Sequence, residues 1–249
     1  MKIVTSDSHK IAVRCTQKKR DEAVILAHGF STHKDMALFK EMSEIFNRHY
    51  DVLSFDFRGH GESEGLFSWT SREAHDLHAV ISFAQERGYK EIGLIGFSLG
   101  AAATLIEASQ NPNPIIKSII AVSTPYDLWK IDFHFWNPRM LDDLRFNWSP
   151  KGRGKFVRPG NPFRPKIKPL HAVAEIETVP ILFMHGESDW LIRPHHSEKL
   201  FEATKAPKEL IIIPEAGHAE MIFSQSPQKF ESICMEWFKK TIGDAHAPA

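Results

Sequence analysis

The sequence predicts an α/β protein with a mostly parallel central sheet of about eight strands and helices on both faces. Two observations support this fold class. Short apolar runs rich in β-branched residues alternate with amphipathic stretches of helical period. The apolar runs are almost continuous, which is typical of strands that are covered by helices on both sides. We therefore expect successive strand–helix units joined by right-handed crossovers.

The predicted strands begin with a hairpin, because two short runs flank the turn Ser6-Asp7-Ser8. Six further apolar runs follow, such as AVILA and EIGLIGF, and β-branched residues are frequent among them. The eight predicted strands span residues 2–4, 10–15, 23–27, 52–57, 91–97, 115–122, 179–184 and 210–213.

Helical patterns fill the gaps between most of these strands. Phe39, Met42 and Phe46 fall on one face of the first helix, and the helix after residue 98 is rich in alanine. The predicted helices lie near residues 39–46, 74–84, 99–109, 198–203 and 230–238.

One segment, about residues 126–176, interrupts the alternation after the sixth strand. It holds six prolines and the tryptophans Trp129, Trp136 and Trp148. Long irregular insertions in compact domains are usually functional, and many of them are lids. We interpret the segment as a short cap over the carboxyl edge of the sheet, within a single domain that spans residues 1–249.

Composition and charge exclude several classes of protein. Hydrophobic residues make up 42% and charged residues 25%, so disorder is not expected. Lys and Arg number 31, as do Asp and Glu, so no net field draws the chain to nucleic acid or to an anionic membrane. No stretch approaches the roughly 20 apolar residues of a membrane span. Residues 1–14 also lack the apolar run of a secretory signal.

The chain has two cysteines, Cys15 and Cys234. They could form a disulfide, but we favour the interpretation that both are free thiols in a reducing cytoplasm. We therefore expect a cytoplasmic protein, either a monomer or a homodimer.

The clearest chemical signal is the run Gly96-Phe97-Ser98-Leu99-Gly100, between the fifth strand and the alanine-rich helix. Glycine on both sides permits a tight turn from which the Ser98 hydroxyl projects, and the helix N-terminus favours negative charge there. Ser98 is the predicted nucleophile. A second match, Gly61-Glu62-Ser63-Glu64-Gly65, has no strand before it and no such helix after it. We assign Ser63 to a turn.

A serine nucleophile needs a base and a group that orients the base. An acidic loop follows the seventh strand, with Glu187 and Asp189 as competing acids, and His218 follows the eighth strand. Carboxyl ends of parallel strands meet at one sheet edge, so these side chains can converge on Ser98. The run His28-Gly29-Phe30 follows the third strand. The backbone N–H groups of Phe30 and Leu99 are therefore the predicted oxyanion-hole donors.

Together these motifs resemble those of the α/β-hydrolases, from about residue 10 to 240. The matching runs are HGF, FDFRGHGES, GFSLG, HGESD and GH, after the third, fourth, fifth, seventh and eighth strands. HGFSTHKDM followed by DFRGHGESEG resembles small bacterial carboxylesterases, including cinnamoyl and feruloyl esterases. The resemblance implies the α/β-hydrolase fold with a cap after the sixth strand, and a triad of Ser98, His218 and Asp189, with Asp189 favoured over Glu187. It also implies no cofactor and structural roles for His28 and His60.

We therefore predict a serine hydrolase that cleaves small or medium carboxylic esters through an acyl-enzyme. Thioester, amide or carbon–carbon cleavage on the same triad is the alternative, and a non-catalytic binding protein is the remote one. Trp129, Phe133 and Trp136 are predicted to bind substrate; equally, these aromatic side chains could hold the cap to the body of the protein.

Two further patterns receive structural interpretations. His195 and His196 are adjacent and cannot easily share one metal, and no HExxH motif or cysteine pair is present, so no metal site is expected.

Residues 151–168 carry seven basic residues and no acidic one. Such a run could bind nucleic acid, but zero net charge favours a solvated cap surface, with attraction of anionic substrates as a weaker reading.

Overall fold

The computed structural model describes residues 1–131 and 157–243. Within them, one eight-stranded sheet has the order β1-β2-β4-β3-β5-β6-β7-β8. β2 pairs antiparallel with β1 and β4, and the remaining pairs are parallel. The strands are β1 (Lys2–Val4), β2 (Lys10–Thr16), β3 (Glu22–Ala27), β4 (Asp51–Phe55), β5 (Glu91–Phe97), β6 (Ile116–Val122), β7 (Ile181–Gly186) and β8 (Lys208–Ile213). The predicted sheet is confirmed.

Helices cover both faces of this sheet. They are α1 (Ala37–Phe46), α2 (Glu73–Glu86), α3 (Leu99–Gln110), α4 (Pro169–Ala174), α5 (His195–Ala203), α6 (Glu220–Gln225) and α7 (Pro227–Thr241). Ile25 of β3 shares a buried cluster with side chains of α2, α3 and α5. The next residue, Leu26, shares the other cluster with side chains of α1 and α7. Because successive strand residues face opposite ways, both faces must be apolar, which explains the continuous apolar runs.

Three strands, β4, β7 and β8, have boundaries two residues away from the predicted ones, and every other boundary agrees within one residue. β4 ends at Phe55; the backbone N–H of Asp56 still donates to the carbonyl of Ala12, and its carboxylate accepts the backbone N–H groups of Lys34 and Glu62 from the loops that follow β3 and β4. β7 begins at Ile181, because Pro180 has no N–H to donate. β8 begins two residues early, at Lys208, because this edge strand is only half-buried and tolerates polar residues.

The helices α4 and α6 were not predicted. Both are six residues long, too short for a clear helical period. α4 begins with Pro169, whose fixed backbone angle suits the first turn of a helix.

About half of the predicted cap, residues 126–176, lies outside the described part, namely residues 132–156. Its described parts include a short 3₁₀ turn, Leu128–Lys130, and a stretch around Pro159 that pairs with Phe67. Its function as a cap stays a prediction.

The two cysteines lie apart. Cys15 on β2 packs against one core cluster and Cys234 of α7 lies in the other, and both are free thiols. Among the described helices, none has the length and apolarity that crossing a bilayer requires.

The parallel strands set the position of the candidate site. Ala27 of β3 pairs with Gly96 of β5, and Gly186 of β7 pairs with Ile213 of β8. These strands therefore end at one edge of the sheet, and the loops that follow them lie side by side.

Candidate active site

Ser98 occupies a sharp turn between β5 and α3. Its φ of 51° and ψ of −116° form a left-handed conformation, which costs a non-glycine residue about 1–3 kcal/mol. A Cβ atom on Gly96 would lie 2.5 Å from the Cα of Ala101, and one on Gly100 would lie 2.2 Å from the carbonyl oxygen of His28. Glycine is therefore required on both sides of Ser98 for the turn to form.

Three side chains from three strand ends form a continuous hydrogen-bonded chain. Oγ of Ser98 lies 3.0 Å from Nε2 of His218, and Nδ1 of His218 lies 2.6 Å from Oδ2 of Asp189. With its proton on Nδ1, the imidazole donates to the carboxylate while Nε2 accepts from the serine hydroxyl. In this arrangement a histidine can remove the proton of a serine. The structure thus brings together the three residues that the sequence predicted to converge.

Asp189 is buried and fully hydrogen-bonded. Its Oδ1 accepts the backbone N–H groups of Leu191 at 3.0 Å and Ile192 at 2.9 Å, and its Oδ2 lies 3.2 Å from Nε2 of His185. Burial alone would raise the pKa of this carboxyl, but His218 and His185 hold the pKa well below its ordinary value. The carboxylate therefore stays charged at neutral pH and can stabilise an imidazolium.

Glu187, the competing acid, has other contacts. Its side chain is exposed, and its Oε2 accepts the backbone N–H of Glu215 at 3.2 Å. The carboxylate that contacts His218 is therefore that of Asp189.

The predicted oxyanion-hole donors lie beside Ser98. The loop after β3 packs closely on this residue, since a Cβ added to Gly29 would lie 3.4 Å from the Cβ of Ser98. Phe30 and Leu99 line the same cavity as Ser98. Across residues 1–131 and 157–243, neither of their backbone N–H groups has a protein acceptor. That of Leu99 belongs to the first turn of α3, where helix N–H groups have no partner within the helix. Both donors suit a developing negative charge.

Buried histidines hold the loop that carries Phe30. Nε2 of His28 accepts the N–H of Phe57 at 2.9 Å, and its Nδ1 donates to the carbonyl of Gly29 at 2.7 Å. Burial, together with the nearby His60, lowers the pKa of His28 to about 3. Burial likewise lowers the pKa of His60 to about 4. Both rings are neutral and serve the structure of the loop.

Glu220, which sequence reasoning missed, joins the loop after β8 to the loop after β3. Its Oε1 accepts the N–H of Gly29 at 3.1 Å and the hydroxyl of Thr32 at 3.2 Å. Glu220 is buried and lies two residues after His218, so its carboxylate links the segment of His218 to the loop that carries Phe30. The only sign of Glu220 in the sequence is that an acidic residue lies close to His218. This sign does not tell whether the carboxylate is buried or exposed.

A cavity of about 490 Å³ opens beside Ser98. Apart from Ser98 and Lys166 its described lining is apolar. It is lined by Phe30, Trp69, Ser98, Leu99, Leu128, Trp129, Ile131, Pro162, Lys166, Leu191 and Ile192. Trp129 is one of the predicted substrate-binding residues, and its role stays a prediction. The other two, Phe133 and Trp136, lie outside the described residues.

Trp69 and Lys166 were missed as cavity residues. The ring of Trp69 stacks on that of Phe30 with their centroids 5.6 Å apart. Lys166 comes from a segment almost a hundred positions further along the chain, and no local pattern predicts that it shares a cavity with Trp69.

A sequence model of the family described as "Alpha/beta hydrolase family" matches residues 24–233. The chain belongs to the alpha/beta hydrolase family. The resemblance predicted from the motifs is therefore confirmed. The matched span includes Ser98, Asp189 and His218.

Several known proteins are similar to most of the chain. The "Uncharacterized protein YfhR" of Escherichia coli O157:H7 is 26% identical over 79% of this chain and 63% of YfhR, so the chain matches less than two thirds of that relative. Esterase Pf2001 of Pyrococcus furiosus has a TM-score of 0.77 and 24% identity, covering 98% of this chain and 90% of Pf2001. Est1E of Butyrivibrio proteoclasticus, solved with ferulic acid bound, has a TM-score of 0.69 and 19% identity, covering 96% of this chain and 100% of Est1E. The structural neighbours show that the fold is shared.

Ser63, in the second motif match, makes structural hydrogen bonds. Its buried hydroxyl donates to the carbonyl of Asp56 and accepts the N–H of Ala12 at 2.8 Å. Gly61 and Gly65 have φ of 47° and 78°, as in a turn. The hydroxyl thus ties β2 to the loop after β4.

One acidic group could hold a metal by its geometry alone: of the described residues, Asp35, Asp56 and Glu62 cluster closely enough. Nζ of Lys34 already lies 3.2 Å from Asp56 and 2.8 Å from Glu62. An ammonium group therefore supplies the positive charge there. The adjacent histidine pair of α5 is not part of this group.

The described part of the basic run also makes internal contacts. Arg158 donates to the carbonyl of Ser63, and Nζ of Lys168 lies 2.9 Å from Oδ2 of Asp127. The stretch 151–156 of this run lies outside the described residues. At least two of its cations therefore hold loops together.

Proposed function

We propose that this protein is a serine hydrolase that cleaves carboxylic esters through an acyl-enzyme intermediate. The observation that carries the proposal is the hydrogen-bonded chain Ser98–His218–Asp189 beside an apolar cavity. The cavity volume falls within the range of small-molecule sites, so the substrate is a small or medium ester. We further propose that the segment between β6 and β7 acts as the cap of this site.

The mechanism follows from the geometry. His218 Nε2 takes the proton of Ser98 as Oγ attacks the ester carbonyl, and the charged Asp189 stabilises the imidazolium that forms. The N–H groups of Phe30 and Leu99 donate to the tetrahedral oxyanion. His218 then gives its proton to the departing alcohol. Water, deprotonated by the same imidazole, releases the acyl group from Ser98. Every proton in this scheme is carried by His218, so no cofactor is required.

The decisive experiment compares wild type with Ser98→Ala on p-nitrophenyl butyrate and with a fluorophosphonate probe. Wild type is expected to hydrolyse the ester and to be labelled at Ser98, while Ser98→Ala loses nearly all turnover because no other group can form the acyl-enzyme. Ser109→Ala is the matched control, because its hydroxyl lies near the far end of the same helix and contacts the carbonyl of Ile106.

Two results would contradict the proposal. One is undiminished ester hydrolysis by Ser98→Ala, or labelling found at Ser63 by mass spectrometry. The other is a wild type that neither labels nor turns over any ester, which would support the non-catalytic reading.

A panel of activated ester, thioester and anilide substrates separates the related chemistries. We expect the ester to have the highest kcat/KM. A higher value for the thioester or the anilide would reassign the reaction while leaving the same three residues at its centre.

A further inference from the structure

Lys166 is the one charged side chain among the described residues that line the cavity beside Ser98. It is half-buried. Its Nζ lies 4.9 Å from the centre of the Trp129 ring and donates to the carbonyl of Pro162. The ammonium group is thus held against an aromatic wall of the cavity that opens at the proposed nucleophile.

No carboxylate among the described residues forms an ion pair with Lys166. Its neighbour in the chain, Lys168, pairs with Asp127 at 2.9 Å, and the buried Lys34 contacts three carboxylates. Burial lowers the pKa of Lys166, and the charge of Glu73 opposes this shift only in part. A half-buried cation with a ring and a neutral carbonyl as its contacts has hydrogen-bonding capacity left for an anion.

The remainder of the cavity suits an apolar linker. Phe30 and Trp69 stack on each other, and Leu128 and Leu191 add aliphatic surface. A ligand with an apolar middle and one anionic end would match this distribution, because its charge would meet Nζ of Lys166 in a charge-assisted hydrogen bond. A wholly apolar ligand would cover the ammonium group without replacing its water.

We propose that Lys166 selects ester substrates that carry a carboxylate, joined through an apolar linker to the carbonyl that Ser98 attacks. This inference rests on the proposed function, since it names the substrate class of the same site.

Two substrate pairs test it. The first is p-nitrophenyl hexanoate against the mono-p-nitrophenyl ester of hexanedioic acid, which places the charge on the acyl side. The second is methyl 4-acetoxybenzoate against 4-acetoxybenzoate, which places it on the alcohol side. For each pair, the ratio of kcat/KM for the anionic ester to that for the neutral ester is compared between wild type and Lys166→Met. Intrinsic reactivity cancels in this comparison.

We expect Lys166→Met to lower this ratio about tenfold for at least one pair, mainly through a higher KM for the anionic ester, as the loss of one partly buried charged hydrogen bond implies. Lys166→Arg keeps the charge and is expected to restore most of the ratio. Arg164→Met is the matched control: it removes one exposed positive charge from the same segment and leaves the ratio unchanged.

A second measurement does not depend on turnover. Binding of 4-acetoxybenzoate and of hexanedioic acid to Ser98→Ala is followed by calorimetry, with and without Lys166→Met. Binding of at least one of them is expected to weaken about tenfold in the double variant.

If wild type cleaves no ester but this binding depends on Lys166, the proposed function fails and the carboxylate site stands. If neither the ratio nor the binding changes in Lys166→Met, or both change equally in Arg164→Met, Lys166 merely supports Trp129 and Pro162 and the inference is wrong.

Discussion

At the scale of single residues, the hydrogen bonds of Asp189 explain why its buried carboxyl stays charged. One carboxylate oxygen accepts two backbone N–H groups, and the other lies against His218 and His185. These contacts fix the orientation of Oδ2 towards Nδ1 of His218. They also keep the carboxyl charged although it is buried. The tautomer of His218 therefore depends on the side chain of Asp189.

Asp189→Asn tests that dependence. The amide can donate to Nδ1, which would move the imidazole proton to Nε2 and prevent it from accepting the proton of Ser98. We expect kcat for p-nitrophenyl butyrate to fall about 10⁴-fold, as in the well-studied Ser-His-Asp template, with little change in the melting temperature.

The control for this prediction is Glu187→Gln, because Glu187 is exposed in the same loop and contacts the backbone of Glu215. It is expected to keep the wild-type kcat. Loss of activity in Glu187→Gln with retention in Asp189→Asn would exchange the roles of the two acids.

At the scale of elements, the site is made by contacts between loops that follow different strands. The carboxylate of Glu220 accepts a hydrogen bond from the backbone N–H of Gly29. The hydroxyl of Ser123, which follows β6, accepts one from the N–H of Ala219 at 3.0 Å. The histidine-bearing loop is therefore fixed by its neighbours on the sheet. Movement of this loop would displace His218 together with the loop that carries Phe30, a proposed oxyanion donor.

Glu220→Ala is expected to impair positioning more than substrate binding. It leaves the N–H of Gly29 and the hydroxyl of Thr32 without their carboxylate acceptor, at a cost to stability of about 1–3 kcal/mol. We expect kcat to fall about 10- to 100-fold while KM changes little, because a donor displaced by a fraction of an ångström stabilises the oxyanion less well.

Glu220→Gln is the matched variant, since its amide oxygen can still accept both hydrogen bonds. It is expected to recover most of the lost kcat. An equal loss in the two variants would argue against a positioning role, as would a loss carried by KM alone.

At the scale of the whole molecule, acid sensitivity follows from His28 and His60. Their pKa values in the folded protein are about 3 and about 4, against an ordinary value of 6.5. As pH falls below about 6.5 the unfolded chain takes up protons at these positions, whereas the folded chain does not until the lower values are reached. Stability is therefore full above about pH 6.5 and is lost as pH falls, by up to about 1.4 kcal/mol per pH unit for each histidine.

Urea unfolding of wild type and His60→Gln at pH 7 and pH 5 checks this. Glutamine cannot titrate, so the drop in the free energy of unfolding between the two pH values is expected to be smaller in the variant, even if it is less stable at pH 7. An equal drop in both proteins would show that His60 is not responsible.

The parts of the site that the sequence predicted are those that lie directly after strands. Ser98, Asp189 and His218 follow β5, β7 and β8, and parallel strands must present such residues at one edge. The apolar runs located every strand to within two residues. The difference at the edge strand β8 arises because polar residues pair in its ladder. The motif context also separated Ser98 from Ser63, whose hydroxyl is used between β2 and the loop after β4.

The parts that were missed depend on contacts between distant loops. Glu220 and Lys166 lie in segments without a distinctive local pattern, and their roles depend on which backbone or ring they meet. A buried carboxylate and a half-buried lysine read the same as exposed ones in a single sequence, because burial is decided by the packing of other segments around them.

The separation of 120 residues between Ser98 and His218 has a consequence during synthesis. At about 5–20 residues per second, the ribosome releases the serine roughly ten seconds before it releases the imidazole. The nascent chain thus carries an inert hydroxyl while its early strands assemble. On the proposed mechanism, bond cleavage can begin only once translation has delivered β8 and the turn after it, so reactivity is acquired late in synthesis.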